Sequence, residues 1–310
     1  MMFNLVISLI ISLLAGQLAE PVQPISQYLI PTEITVNGTS TSYQQSKLSW
    51  SKSMLKLNES SFDWPKVNAL AAAVVDWESG RVLWQKNPEQ PVALASLTKL
   101  MTGLLAVESN LEVKDKIIVP KEAIDQPGAS YLASQDQLSG LSLLNILLVA
   151  SSNEAAETLA SLSGRQNFVN QMNRRARTLG LGQAQFVGPA GLEAGNQATL
   201  SEVIKLIQVV FDKSIIAKLT SQPTSTVKVL SPVGTKLINF ENTNKLFASG
   251  LTVLAGKTGT LEEAGFSVAS IVAKPGFKPL LVIILGAPDH FTRFTEAFNL
   301  SNWAWQSYSF

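Results

Sequence analysis

Apolar and polar residues follow two different periods along the chain, and this pattern predicts strands towards both ends. Residues 68–76 and 81–85 are strand-like, and Glu78-Ser79-Gly80 between them is typical of a hairpin turn. Near the other end, residues 266–273 and 279–285 are two apolar strands separated by a turn that contains Pro and Gly. Strands at both ends with helices between them predict one α/β unit whose sheet is closed by the two ends.

Helical periodicity fills the middle of the chain. A helix is expected to begin near Ser96, because the apolar residues that follow recur at helical spacing: Leu97, Leu100, Met101, Leu104 and Leu105. Residues 141–149 form an apolar stretch that ends at Ser151-Ser152-Asn153. Further helices are predicted over residues 154–162, 166–180, 199–211 and, last, about 294–308.

The first part of the chain has a different character. Residues 1–19 carry no charged side chain and are mostly apolar, which is typical of a signal peptide or an N-terminal membrane anchor. Residues 20–66 are rich in Ser, Thr, Gln and Asn and are expected to form a polar leader or linker. The sequence therefore predicts an exported protein, either secreted or anchored at its N-terminus, whose main folded domain covers residues 67–310.

Composition narrows the possible chemistry. Lys and Arg number 24 against 23 Asp and Glu, so the charge is not that of a nucleic-acid-binding protein. No cysteine is present, which excludes disulfides, thiolate metal sites and cysteine nucleophiles. His290 is the one histidine, so a multi-histidine zinc site is impossible and a Ser-His-Asp triad would have to use that residue. We expect His290 to be a loop residue outside the chemistry.

A serine three residues before a lysine occurs repeatedly in the sequence. The two side chains share a face only on a helix. Of the four pairs, only the third opens an amphipathic helix: Ser49/Lys52, Ser53/Lys56, Ser96/Lys99 and Ser225/Lys228. There the lysine amine can reach the serine hydroxyl, and burial would lower its pKa enough to accept a proton. Taken alone, the pair also fits a helix N-cap serine beside a solvated lysine.

Two further motifs follow in chain order. Ser151-Ser152-Asn153 lies between two helical segments and could supply a proton-shuttling hydroxyl and an amide, or could simply cap a helix. Lys257-Thr258-Gly259 opens a strand-like run, where a lysine supplies charge and a glycine allows close backbone approach. Its alternative is an exposed lysine on an edge strand beside a turn glycine.

Together the three motifs resemble the signature of penicillin-binding proteins and class A β-lactamases. The likeness extends to Ala95–Thr102, to residues 186–192, to Thr243-Asn244-Lys245-Leu246 and to residues 256–266. The chain thus resembles the low-molecular-weight D-Ala-D-Ala carboxypeptidase and endopeptidase family. The resemblance implies a β-lactamase/transpeptidase-like α/β (α+β) fold, with a mainly antiparallel sheet flanked by helices plus an all-helical lobe. It implies no metal and no cofactor.

The same resemblance implies roles in acyl transfer. Ser96 would be the acylated nucleophile and Lys99 its general base. Ser151, helped by Lys257, would relay a proton to the leaving amine. Asn153 would bind the peptide amide of the substrate.

The remaining roles implied by the resemblance concern two negative charges: the oxyanion that forms during the reaction and the terminal carboxylate of the substrate. Backbone N–H groups of Ser96 and Thr260 would form the oxyanion hole. Thr258, Gly259 and Thr260 would contact the substrate, the two threonines at its terminal carboxylate. Arg293 matches an arginine that the family places near that carboxylate, although its spacing differs by one residue, and a surface arginine is the alternative.

The expected substrate is a peptidoglycan stem peptide, with β-lactam antibiotics as covalent inhibitors and no nucleic acid as partner. Carboxypeptidase activity is the main prediction, and a D,D-endopeptidase that cuts cross-links is the first alternative. A class A-like β-lactamase is a second, although Ser152 stands where those enzymes carry Asp and only Glu193 is available in the middle loop. An inactive wall-binding module is the third.

Overall fold

The computed structural model describes residues 33–36, 39–42 and 65–308. The chain divides into two compact units, Met1–Lys52 and Ser53–Phe310. In the first unit, strands β1 (Glu33–Val36) and β2 (Thr39–Ser42) pair antiparallel. The predicted export segment, residues 1–19, and most of the polar leader lie outside the described residues. Within the described ranges, no helix has the length and apolar character needed to cross a membrane.

The second unit contains the remaining strands and the helices. The strands are β3 (Ala71–Asp76), β4 (Val82–Lys86), β5 (Pro91–Ala93), β6 (Ile117–Ile118), β7 (Gln137–Leu138), β8 (Gln197–Thr199), β9 (Thr224–Ser231), β10 (Gly234–Glu241), β11 (Thr252–Leu261), β12 (Gly265–Ala273) and β13 (Leu280–Ala287). The α-helices are α1 (Thr98–Glu108), α2 (Gly140–Asn145), α3 (Asn153–Ser161), α4 (Arg165–Thr178), α5 (Leu200–Asp212), α6 (Ser214–Thr220) and α7 (Thr292–Ser307). Short 3₁₀ turns span Ala95–Leu97, Leu111–Val113, Lys121–Ala123, Lys245–Ala248 and Glu262–Ala264, and a π-helical turn spans Ile146–Ala150.

The central sheet has five strands in the order β11-β12-β13-β3-β4. Neighbouring strands are all antiparallel, and β13 from the C-terminal part pairs with β3 from the N-terminal part. The predicted hairpin and the predicted closure of the sheet by both ends of the domain are therefore confirmed. Strand β11, which carries Lys257-Thr258-Gly259, lies at one edge of this sheet.

Both faces of the central sheet are covered, because successive strand residues point to opposite sides. On β3, Ala73 belongs to a core cluster with Leu100 of α1, whereas Val74 belongs to a second cluster with Leu300 of α7. Helix α7 thus covers one face, and the helical lobe that contains α1 covers the other. The continuous apolar run of β3 follows from this burial on both faces.

The predicted fold class is confirmed, with additions in the helical lobe. That lobe also carries a four-stranded sheet in the order β10-β9-β7-β6 and the pair β5-β8, and neither was predicted. The predicted strands and helices are present with bounds shifted by one to three residues. The stretch 141–149 is less regular than predicted, because α2 passes into the π-helical turn before the chain reaches Ser151.

Candidate active site

Ser96 lies in the 3₁₀ turn that precedes α1, on a tightly packed stretch of backbone. The preceding Ala95 has φ 47°, a left-handed conformation that residues other than glycine seldom adopt. Two glycines allow neighbouring segments to approach this turn. A Cβ on Gly191 would lie 1.9 Å from the carbonyl oxygen of Ala95, and one on Gly259 would lie 3.2 Å from the backbone nitrogen of Ser96. Strand β11 therefore passes directly beside the turn.

Lys99 is fully buried one helical turn after Ser96. Its Nζ lies 2.8 Å from Oγ of Ser96, 2.7 Å from Oδ1 of Asn153 and 2.5 Å from the carbonyl oxygen of Ala190. Burial lowers the pKa of Lys99 from 10.5 to about 7, although the carboxylates of Glu157, Glu154 and Glu193 oppose this shift. The alternative of a solvated lysine beside a capping serine is wrong, since α1 has no side-chain cap.

The three contacts of Lys99 fix where its lone pair points when the amine is neutral. The amide oxygen of Asn153 and the carbonyl oxygen of Ala190 can only accept, so the two N–H groups of a neutral amine donate to them. The third direction, towards Ser96, is then left for the lone pair. In that state the Ser96 hydroxyl donates its hydrogen bond to Lys99, which is the arrangement needed to deprotonate a serine.

Within the segment Ser151-Ser152-Asn153, one residue caps a helix and the other two face the site. Ser152 caps α3, because its Oγ accepts a hydrogen bond from the backbone N–H of Ala155 at 3.0 Å. Ser151 does not cap: it ends the π-helical turn in a left-handed conformation, φ 62°. Asn153 accepts from Lys99 and donates through Nδ2 to the carbonyl oxygen of Pro127 at 2.6 Å. The capping interpretation therefore holds for the middle residue alone.

Lys257 meets Ser151 across 106 residues of sequence. Its Nζ donates to Oγ of Ser151 at 2.7 Å and to the carbonyl oxygen of Thr258 at 2.9 Å. The side chain is 1% exposed, so the alternative of an exposed edge-strand lysine is wrong. Burial, followed by repulsion from Lys99 and Arg293, holds the pKa of Lys257 well below its ordinary value.

Arg293 is buried at the same edge of the sheet, although it belongs to α7. Its Nη1 donates to the carbonyl oxygen of Gly259 at 2.8 Å and to Oγ1 of Thr260 at 3.0 Å. Its Nε is buried without a hydrogen-bond partner, and it forms no ion pair with any described residue. Burial lowers the pKa of Arg293 to about 10. The surface-arginine alternative is wrong, and Arg293 is a buried cation that has no anionic partner among the described residues.

These groups meet at one cleft of about 370 Å³. Its lining includes predicted residues and others that the motif analysis assigned no role: Ser96, Ser151, Glu241, Asn242, Thr243, Lys245, Thr258, Gly259, Thr260, His290 and Arg293. Lys99, Asn153 and Lys257 join this set through the hydrogen bonds above. Thr243 reaches Thr258, with their Oγ1 atoms 2.5 Å apart. The nine predicted site residues are thus brought together by the fold.

Comparison with known proteins supplies the family. A sequence model of the D-alanyl-D-alanine carboxypeptidase family, peptidase family S11, matches residues 58–289. The chain belongs to this family.

Curated relatives within the family carry two different names. A D-alanyl-D-alanine endopeptidase from Pseudomonas aeruginosa is 30% identical over 238 residues, which cover 75% of this chain and 76% of the relative. An endopeptidase of the same name from Escherichia coli is 26% identical, with 77% and 78% covered. The D-alanyl-D-alanine carboxypeptidase DacF from Bacillus subtilis is 27% identical over 77% of this chain and 63% of the relative.

Solved structures support the fold independently. The crystal structure of the Streptomyces K15 DD-transpeptidase superposes with a TM-score of 0.74 and 22% sequence identity. The match covers 79% of this chain and 100% of the transpeptidase chain. At this identity the likeness shows the fold alone, which this chain shares with the transpeptidase.

Proposed function

We propose that this family member is a serine-type D-alanyl-D-alanine carboxypeptidase that acts on peptidoglycan stem peptides through an acyl-enzyme on Ser96. The observation that carries the proposal is the pair of buried lysine–serine contacts that meet at one cleft. Lys99 contacts Ser96, and Lys257 contacts Ser151. One pair suits removal of a proton from the nucleophile, and the other suits delivery of a proton to the leaving group.

In the first half-reaction, neutral Lys99 takes the proton of Ser96 as Oγ attacks the carbonyl carbon of the penultimate D-Ala. The oxyanion that forms would receive hydrogen bonds from the backbone N–H groups of Ser96 and Thr260. The C–N bond then breaks, and the departing amine of D-alanine receives a proton through the Ser151 hydroxyl, which Lys257 holds. In the second half-reaction, water attacks the ester carbonyl and the bond between that carbon and Oγ of Ser96 breaks. A proton of the water passes to Oγ, and the shortened peptide leaves with a new carboxyl group.

Two groups of residues would bind the substrate. Asn153 retains one amide N–H beyond its contact with Pro127 and would hold the peptide amide of the substrate. Thr258, Thr260 and Arg293 would receive the terminal carboxylate. The absence of an ion-pair partner for Arg293 among the described residues supports this role, because a buried guanidinium gains most from an anion in its direct neighbourhood.

A D,D-endopeptidase is the second candidate, and one observation favours it. The relative that is 30% identical to this chain is named an endopeptidase, whereas DacF, which is named a carboxypeptidase, is 27% identical. The two reactions share the nucleophile and differ in the leaving group, which is free D-alanine in one and a cross-linked peptide in the other.

We propose that β-lactam antibiotics are covalent inhibitors whose acyl-enzyme on Ser96 is hydrolysed slowly. A β-lactamase needs a base that activates water for deacylation. Here Glu193 pairs with Arg165 at 2.7 Å and accepts from Nδ2 of Asn196 at 3.2 Å, so its carboxylate is already occupied. An inactive wall-binding module is the less favoured alternative, because such a module does not require lysines buried against serines. The substrate also implies action outside the cytoplasm, after secretion or with an N-terminal anchor.

The proposal is tested by digesting two substrates with the protein and with its Ser96→Ala variant. One is a soluble pentapeptide that ends in D-Ala-D-Ala, and the other is purified cross-linked peptidoglycan. Mass spectrometry of the products distinguishes loss of one alanine from separation of cross-linked peptides. We expect loss of alanine with the parent and no product with the variant. Cleavage of cross-links alone would establish the endopeptidase, and equal products from both proteins would overturn the Ser96 mechanism.

A further inference from the structure

The contact between His290 and Arg293 determines which ring nitrogen of His290 carries the proton. The residue lies in the turn between β13 and α7, lines the cleft, and places Nδ1 2.9 Å from Nη2 of Arg293. A guanidinium has donors and no acceptor, so Nδ1 must accept and the ring proton must be on Nε2. The hydrogen bond therefore requires a neutral imidazole of one tautomer.

Aromatic rings hold this imidazole in place. The rings of Phe266, Phe291 and Phe294 meet it edge to face, with centroid distances of 6.2, 5.3 and 5.4 Å. The guanidinium of Arg293 lies over two of the same rings, 4.6 Å from that of Phe294 and 5.5 Å from that of Phe266. His290 and Arg293 are thus packed as one unit against β12 and α7.

Burial and the neighbouring positive charges favour the neutral form of the ring. Burial is the largest cause that lowers the pKa of His290 below 6.5, followed by the positive charges of Arg293 on α7 and Lys245 on its 3₁₀ turn. Asp289, in the same turn as His290, opposes this shift. Its carboxylate accepts hydrogen bonds from the backbone N–H groups of Phe291 and Thr292 and from the Thr292 hydroxyl. The imidazole therefore remains an acceptor at neutral pH.

We propose that His290 is a positioning residue for substrate recognition: its neutral imidazole holds Arg293 in the orientation that receives the terminal carboxylate. This inference rests on the proposed function, in which Arg293 is a carboxylate ligand. Nη1 is anchored to the backbone of β11 and β12, and Nη2 has His290 as its hydrogen-bond partner. Without that acceptor, Nη2 would join Nε as an unpaired donor, and the guanidinium would lose its second anchor.

The first test compares two substitutions of His290 with opposite expectations. His290→Asn places an amide oxygen near the position of Nδ1 and keeps an acceptor, whereas His290→Phe keeps a ring and removes the acceptor. Kinetics are measured with a peptide ending in D-Ala-D-Ala and with the same peptide ending in D-alaninamide. We expect His290→Phe to raise KM for the acid about tenfold, with kcat and the kinetics of the amide unchanged. His290→Asn should stay close to the parent.

Arg293→Leu separates the proposed role of Arg293 as a carboxylate ligand from the proposed role of His290 in positioning it. If it selectively impairs the acid and His290→Phe does not, the role of Arg293 stands and the inference about His290 is wrong. If Arg293→Leu impairs acid and amide equally, the proposed carboxylate site fails, and the inference fails with it. An equal loss with both substrates for His290→Phe would indicate a merely structural role and would also overturn the inference.

The second test reads the tautomer directly, because the sequence contains a single histidine. Untagged protein labelled with ¹⁵N-histidine should give one imidazole spin system, with Nδ1 unprotonated and Nε2 protonated at pH 7.5. Arg293→Leu should remove this tautomer preference. A protonated Nδ1 in the parent would contradict the hydrogen bond on which the inference depends.

Discussion

The neutral form of Lys99 should govern how acylation depends on pH. With a pKa of about 7, roughly a tenth of Lys99 is neutral at pH 6, about half at pH 7 and about nine-tenths at pH 8. The rate constant of acylation should therefore rise about tenfold between pH 6 and pH 8. A lysine with the ordinary pKa of 10.5 would instead be neutral in fewer than about one molecule in a thousand at pH 7.

Changing Glu157 tests the electrostatic part of this explanation. Of the three carboxylates that oppose the shift, Glu157 has the largest effect on Lys99, and Glu157→Gln removes its charge while keeping an acceptor for Arg165. The pKa of Lys99 should fall further, so the rising limb of acylation should move to lower pH. Glu108→Gln is the matched control, because Glu108 also pairs with an arginine and is not among the charges that shift the pKa of Lys99.

The assay is stopped-flow acylation by a fluorescent penicillin from pH 5.5 to pH 9, with thermal unfolding recorded at each pH to exclude loss of the fold. We expect the limb near pH 7 in the parent and in Glu108→Gln, and at lower pH in Glu157→Gln. A rate that is flat between pH 6 and pH 8 would refute the assignment of Lys99 as the base. A limb that moves to higher pH in Glu157→Gln would refute the electrostatic argument.

Three further predictions follow from the packing and burial of the site. Gly259→Val should reduce the rate of penicillin acylation at least tenfold, because its Cβ would lie 3.0 Å from the carbonyl oxygen of Leu94; Gly182→Ala, with open space around it, is the control. Lys257→Met should abolish peptide turnover yet increase the free energy of unfolding by about 1 kcal/mol in urea titrations at pH 7, since burial disfavours the ammonium; a decrease would refute this. The penicilloyl adduct should outlast the assay by minutes in a gel-fluorescence chase, and complete loss within seconds would indicate a β-lactamase.

Much of the central sheet could be predicted from sequence because three of its strands, β3, β12 and β13, are buried on both faces and largely apolar. Two of its strand pairs, β3 with β4 and β12 with β13, join strands that are adjacent in sequence. A short stretch of sequence is therefore enough to predict each pair. Strands β6 and β7 of the second sheet were not predicted, because each has two residues and pairs with a strand distant in sequence. Such pairings leave little periodicity for a local pattern to detect.

The motifs predict the identity of the site residues, but they do not predict the burial, backbone conformation and contacts of those residues. The sequence around Lys257 does not indicate that its side chain is buried. Its contact with Ser151 joins residues that are 106 positions apart in the chain. The π-helical turn that brings Ser151 into a left-handed conformation is also invisible to a pattern based on 3.6 residues per turn. His290 was assigned to a loop, which is where it lies, but its contact with Arg293 depends on the packing of three aromatic rings.

The central claim is that Ser96 carries the acyl group, and peptide mapping of a trapped adduct tests it most directly. The protein is reacted with penicillin, quenched in acid and digested with trypsin. Cleavage after Lys86 and Lys99 isolates residues 87–99, in which Ser96 is the one serine. The account predicts that this peptide alone carries the added mass and that Ser96→Ala carries none. An adduct on another serine, or a labelled Ser96→Ala variant, would contradict it.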